Sequence, residues 1–151
     1  MTATTGTGTI QLTIQDVSLR TGLSESTLRY YERIGLIRGV GRDPATGHRR
    51  YADHVVEEVE ALACLRATGM GIADLRRYLA GVDAGVDASS DLIDLFSRHT
   101  ERLAAQVEEL KVRQAYTVAK VDLWRARRDG LPEAEVGERL RAIATTLRGG
   151  A

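Results

Sequence analysis

Cysteine is almost absent. The chain of 151 residues holds one, Cys64, which excludes an internal disulfide framework and any multi-cysteine zinc site. Proline is nearly as scarce, with two residues, and aromatics make up only 5%. With many Ala, Leu, Arg and Glu, that scarcity leans toward helix. No apolar run approaches the roughly 20 residues that a membrane span needs. The first residues, Met1 to Thr9, lack the basic start and apolar centre of a secretory leader. We therefore expect a cytoplasmic protein with no membrane partner and a disordered tail over residues 1–11. Also missing are a phosphate-cradling Gly-rich loop, a nucleophile elbow and a paired-carboxylate constellation, so no enzyme is expected. His48, His54 and His99 have no metal-ligand spacing with one another or with Cys64, so neither a metal nor a cofactor is expected.

Net charge is lacking too: the formal charge is +0 at pH 7. The local distribution is uneven. Residues 20–50 hold seven arginines (20, 29, 33, 38, 42, 49 and 50) against Glu25, Glu32 and Asp43. Residues 51–65 then hold Asp53, Glu57, Glu58 and Glu60 with no base. A basic block beside an acidic one suits a local phosphate-binding face, and equally suits a solvated surface of mixed charge.

What is present is helix punctuation. Thr13 can cap a helix from Ile14 to Thr21, which Gly22 stops. Ser24 can cap a second, Glu25 to Ile34, closed by Gly35, with Leu28, Tyr31 and Ile34 facing inward. Two short helices joined by a turn containing Gly make a helix-turn-helix. Ile37–Val40 and His48–Tyr51 read as strands around the turn-forming Arg42–Gly47, which makes a wing. Asp53 can cap a third helix ending near Thr68, and Ile72–Leu79 reads as a fourth. Gly81–Ser90 reads as a loop of small residues.

From Asp91 to about Arg128 there is neither Gly nor Pro. One heptad seam position reads Ile93, Thr100, Val107, Gln114, Val121, and the other Phe96, Leu103, Leu110, Thr117, Trp124. That pattern argues for a coiled coil, and a chain with one such helix has a second copy as its natural partner. The expected dimer interface is Phe96, Leu103, Val107, Leu110, Val121 and Trp124. Val136, Leu140, Ile143 and Leu147 then mark a short amphipathic helix. The expected fold is mainly α: a winged helix-turn-helix DNA-binding domain over 12–80, a linker over 81–90, a dimerisation helix over 91–129 and a C-terminal helix over 131–148.

A helix-turn-helix sets its second helix in the major groove of duplex DNA, with the wing along the backbone beside it. The candidate DNA contacts are Thr13, Ser24, Ser26, Thr27, Arg29, Tyr30, Arg49 and Arg50. Hydroxyls are short donors to phosphates or base edges, and Arg29 can fork onto phosphate or guanine.

Thr27-Leu28-Arg29-Tyr30-Tyr31-Glu32-Arg33-Ile34-Gly35-Leu36-Ile37 resembles the signature of the MerR family of transcription regulators. The resemblance continues through Gly47-His48-Arg49-Arg50-Tyr51, Leu65-Arg66-Ala67-Thr68-Gly69-Met70 and Ile72-Ala73-Asp74-Leu75. It implies a homodimer with antiparallel long helices on a palindromic operator inside a promoter with an overlong spacer. It also implies that the dimer bends and untwists that DNA, so that RNA polymerase can engage both promoter elements. Arg29, Tyr30 and a wing arginine would hold phosphates. Distortion of this kind costs roughly 1–6 kcal/mol, offset by backbone contacts on both sides.

Members that sense metals carry several cysteines near the end of the long helix, which this chain lacks. Multidrug-binding members add a large effector domain, for which too few residues follow here. Cys64 remains as the candidate sensor. At about 100° per residue it falls opposite the apolar stripe of Val55, Val59 and Leu62. Cys64-Leu65-Arg66-Ala67-Thr68-Gly69-Met70 resembles the single-cysteine aldehyde- and nitrosative-stress branch of the family. There the thiol is the proposed target of electrophiles, which Arg66 could activate and Glu60 oppose. Two other readings share these features: an architectural DNA binder without effector, and a coiled-coil module that binds protein.

Overall fold

The computed structural model describes residues 11–149. The tail expected over residues 1–11 lies outside them except for Gln11, which is in a strand. Strand β1 (Gln11–Leu12) leads into α1 (Ile14–Thr21) and α2 (Glu25–Arg33). Strands β2 (Gly41–Arg42) and β3 (Arg49–Ala52) follow, then α3 (Asp53–Ala67) and α4 (Ile72–Ala84). A 3-10 turn over Gly85–Ala88 precedes the long α5 (Ser89–Asp129), and α6 (Ala134–Gly149) ends the described chain. The chain divides into two compact units, one up to Leu95 and one from Phe96.

In the first unit the caps fall where the residue types put them. Thr13 and Asp16 form a reciprocal capping box at the start of α1. Gly22 adopts φ 74°, and its N–H donates to the Ser18 carbonyl, turning the chain between the helices. The Ser24 side chain accepts from the Thr27 N–H. Asp53 is not a cap: Ala52 stands at that position with no side-chain hydrogen bond, and Asp53 is the first helical residue of α3. Val17, Leu28, Tyr51, Val55, Val59 and Leu62 are fully or almost fully buried, where α1 packs on α2, α3 and β3.

The wing differs from expectation in register. Ile37–Val40 is not a strand. The amides of Leu36 and Ile37 both donate to the Tyr31 carbonyl, at 2.8 and 3.1 Å, closing the end of α2. Their side chains are buried. Pairing therefore begins later, with Gly41 opposite Arg50 and Arg42 opposite Arg49. The other edge of β3 pairs with β1, which was not anticipated, giving the order β1-β3-β2. At the turn, the Asp43 carboxylate accepts from the Ala45 and Thr46 amides, both at 3.0 Å, and from Arg50 at 3.1 Å. These bonds hold its pKa down from 3.8 to about 2, the Thr46 amide contributing most.

Residues 81–90 are not a loop. Helix α4 runs on to Ala84, and the 3-10 turn passes into α5 without an extended segment. Gly81 lies inside α4 because Leu92 packs against its backbone: a Cβ there would come within 2.6 Å of Leu92 Cδ2. The C-terminal end of α4 is tied to the segment that follows α2, since Arg38 pairs with Asp83 at 2.7 Å. Arg76 also donates to the Ile34 carbonyl at 2.7 Å.

In the second unit, α6 folds against the C-terminal half of α5. Ala119, Leu123 and Leu140 form the buried cluster, with Tyr116, Val136 and Ile143 packed on it. An Arg139–Asp122 ion pair adds a link between the two helices. On the opposite face of α5, Val107, Leu110, Val118, Val121 and Trp124 are exposed.

Two predictions follow from this packing. Gly81→Ala gains about 1 kcal/mol of helix propensity but overpacks Leu92, which typically costs 1–3 kcal/mol. Thermal denaturation should show a lower midpoint for Gly81→Ala alone, and a raised one when it is added to Leu92→Ala. For Asp43, a depressed carboxyl pKa stabilises the fold above its ordinary 3.8, and that contribution is lost as pH falls toward about 2. Carbon-detected NMR titration should give a midpoint near 2. Arg50→Ala should raise it only part of the way to 3.8, because the two turn amides remain.

Candidate nucleic-acid interface

Helix α1, helix α2 and the wing meet at a groove of about 480 Å³ lined by Thr13, Ile14, Gln15, Glu25, Arg29, Arg42, Gly47, His48, Arg49 and Arg50. Four guanidinium groups therefore come from two separate elements, α2 and the wing. Strand alternation sorts the last two. Arg49 shares a face of β3 with the buried Tyr51, so it is drawn toward α2, where it meets Glu32 at 2.5 Å. Arg50 faces the other way and meets Asp43 in the turn.

Each sequence-predicted arginine is held by a carboxylate. Arg29 pairs with Glu25 one turn before it at 2.8 Å. The Arg49–Glu32 pair is the most enclosed, both side chains being 25% exposed. Its hydrogen bond raises the Arg49 pKa above the ordinary guanidinium value. Arg42 instead donates to the Gly47 carbonyl at 3.1 Å. Burial pushes the Tyr51 phenol up, with Glu32 adding to the effect, and its hydroxyl lies buried with no hydrogen-bond partner among the described residues.

Of the eight candidate contacts, the groove brings together Thr13, Arg29, Arg49 and Arg50. Ser24, Ser26, Thr27 and Tyr30 do not line it. The Ser24 hydroxyl lies 2.9 Å from that of Ser26 and 2.8 Å from that of Thr27, a cluster at the N-terminus of α2. The Thr13 hydroxyl donates to Asp16 at 2.6 Å. Tyr30 is half-exposed, with the Arg33 guanidinium 5.4 Å from its ring centre. The sequence reading omitted Gln15, Glu25, Arg42 and His48. The strand register, which pairs Arg42 with Arg49 across the wing, is what brings Arg42 in.

Cys64 is exposed, in a cleft with Arg20, Thr21, Glu60, Ala63 and Ala67. The Arg66 guanidinium donates to the Met70 carbonyl at 2.9 Å, near the end of α3. Glu60 is occupied by Arg20 at 2.5 Å. Of the expected dimer residues, Phe96 and Leu103 are half-buried within one chain. Val107, Leu110, Val121 and Trp124 are exposed, Trp124 at 63%. Among the described residues no His, Cys, Asp or Glu cluster could hold a metal ion. No helix there is long and apolar enough to cross a membrane.

Comparison with known proteins places this geometry. Residues 12–82 match the family described as MerR HTH family regulatory protein. An uncharacterised HTH-type transcriptional regulator of Haemophilus influenzae is 37% identical over 90 residues, covering 60% of this chain and 66% of that protein. The chain thus spans just under two thirds of that relative's length. The regulator HmrR of Rhizobium leguminosarum is 32% identical over 102 residues, covering 66% of this chain and 75% of that one. Among solved structures, HiNmlR, a MerR family regulator lacking the sensor domain and bound to promoter DNA, superposes with a TM-score of 0.68. It is 28% identical, over 89% of this chain and 96% of that one. With its winged helix-turn-helix in the matched segment, the chain belongs to the MerR family of helix-turn-helix regulatory proteins.

Proposed function

We propose that this chain is a DNA-binding transcription regulator of the cytoplasm that acts as a homodimer and distorts an operator within a promoter, where RNA polymerase engages it. The carrying observation is the groove in which Arg29 of α2 converges with Arg42, Arg49 and Arg50 of the wing. A recognition helix and a wing presenting cations on one side suit the major groove and its flanking phosphates. Arg29, Tyr30 and a wing arginine are the proposed phosphate contacts, with Thr13, Ser24, Ser26 and Thr27 beside them. Promoter activation in a stress response is the proposed role.

The dimer is supported by α5. Its exposed residues Val107, Leu110, Val121 and Trp124 follow the heptad seam on the face opposite α6, which leaves them for another long helix. The proposed interface is Phe96, Leu103, Val107, Leu110, Val121 and Trp124. Wild type should sediment as a dimer at micromolar concentration and retard duplex DNA carrying its upstream promoter. Leu110→Asp should sediment as a monomer and lose that binding, because two half-sites must be engaged together. A monomeric wild type, or a Leu110→Asp dimer with full binding, would overturn the assembly.

Modification of Cys64 by an electrophile is the proposed switch, supported by exposure of the thiol in its cleft. Where this face meets the partner's long helix in the proposed dimer, added volume shifts the contact at a cost of roughly 1–3 kcal/mol, and about 1.4 kcal/mol is already tenfold in an equilibrium. Mass spectrometry should find Cys64 alkylated in the native protein by a small aldehyde or iodoacetamide. Cys64→Ser should keep DNA affinity within about tenfold and lose the response. A thiol that reacts only after denaturation would end this role.

A further inference from the structure

Three carboxylates pair with three of the four arginines of the groove, but they do so from different places. Glu32 and Asp43 lie behind Arg49 and Arg50 and do not line the groove. Glu25 lines it and is the one carboxylate among the lining residues. It stands in the first turn of α2, where the positive end of the helix dipole favours a carboxylate. Its side chain and that of Arg29 are 40% and 48% exposed. Glu32 and Asp43 can keep their positions while arginine donors on the open side meet a phosphate. The Glu25 charge would face the DNA directly.

Resting on the reading of this groove as a DNA-binding surface, we infer that Glu25 is a specificity-determining residue that penalises contact with DNA in general and is offset only where a base edge donates to it. Arg29 has two possible partners, Glu25 and a phosphate. Whenever it moves to the phosphate, Glu25 is left as an unpaired anion beside the polyanion. In the major groove the cytosine amino group is the base donor that best suits a carboxylate, because adenine sets its own amino group beside the N7 acceptor. A site that presents cytosine opposite Glu25 restores a partner to the carboxylate, whereas guanine or thymine there offers only acceptors. The carboxylate thus weakens binding to wrong sequences more than to right ones. It also lowers the number of counterions that binding releases, because it cancels the charge of Arg29.

The test uses the full chain and two probes: a duplex enriched from a random-sequence pool by the wild type, and a scrambled duplex of the same base composition. Glu25→Gln keeps the size of the side chain and removes its charge. The variant should bind the scrambled duplex more tightly, and its salt slope there should steepen by about one per protomer. Discrimination between the two duplexes should fall by about tenfold, within the value of one base contact. A repeat selection should lose the preference for cytosine at one position of each half-site. Equal tightening on both duplexes, or an unchanged slope and unchanged selection, would overturn the inference while leaving DNA binding intact. A wild type that enriches no duplex would overturn the functional reading itself, and the inference with it. Glu25→Ser, suited to a first helical turn, serves the same comparison should the amide variant fail to fold.

Discussion

The burial of Tyr51 is the constraint on which the DNA-facing side depends. Its ring is fully buried, and it sits in the central strand of a three-stranded sheet. Because side chains alternate along a strand, fixing Tyr51 inward fixes Arg49 on the α2 side and Arg50 on the turn side. A slip of one residue would exchange the two and bury a guanidinium where the phenol ring now lies. Strand β3 holds this register through both edges: β1 pairs with Leu12 opposite Tyr51, and β2 pairs with Arg42 opposite Arg49. The wing is thereby anchored to the core through one aromatic side chain.

Helix α5 poses the opposite problem. In its C-terminal half it is apolar on two faces, and α6 covers one of them through Ala119, Leu123 and Leu140. At about 100° per residue, Val107, Leu110, Val121 and Trp124 centre on the far side of the helix. Full burial of one such side chain contributes roughly 1.5–3 kcal/mol, so leaving this seam in water forfeits more than surface ion pairs return. The Lys111–Glu108 and Arg113–Glu109 pairs beside it are exposed and are worth at most about 1 kcal/mol each. The same helix thus serves α6 within the chain and leaves a second apolar stripe exposed.

Local chemistry made much of this legible. Thr13, Gly22, Ser24 and Gly35 are strong punctuation because each satisfies a helix end or turns the chain beyond one, and the structure places all four as read. The heptad of α5 was legible because five repeats average out single polar residues. What escaped was set by contacts distant in sequence. Strand β1 is two residues long, too short for any pattern, and exists because Tyr51 and Ala52 offer it an edge. Ile37 to Val40 looks like a strand in composition, yet its first amides close α2. Gly81 suggests a loop to any local rule, and only Leu92 explains a glycine in mid-helix. At the site, the arginines were legible as cations, whereas Arg42 and Glu25 become members only through register and turn geometry.

That pairing bears on how a chain of zero net charge can carry a DNA-facing groove. A bare cluster of four guanidinium groups would attract any duplex from about a Debye length away, roughly 8 Å at physiological salt. It would also bind non-specific sequence in vast excess over an operator. With Arg29, Arg49 and Arg50 each held by a carboxylate, the distant field is small. The cations act only where a phosphate comes close enough to compete with the partner already present. Contact energy is then realised at short range, in a fixed geometry, and by groups already oriented by their ion pairs. The carboxylates therefore bear on recognition by this groove as much as its cations do: Glu32 and Asp43 orient Arg49 and Arg50 from outside its lining, and Glu25 is proposed to set which sequences they meet.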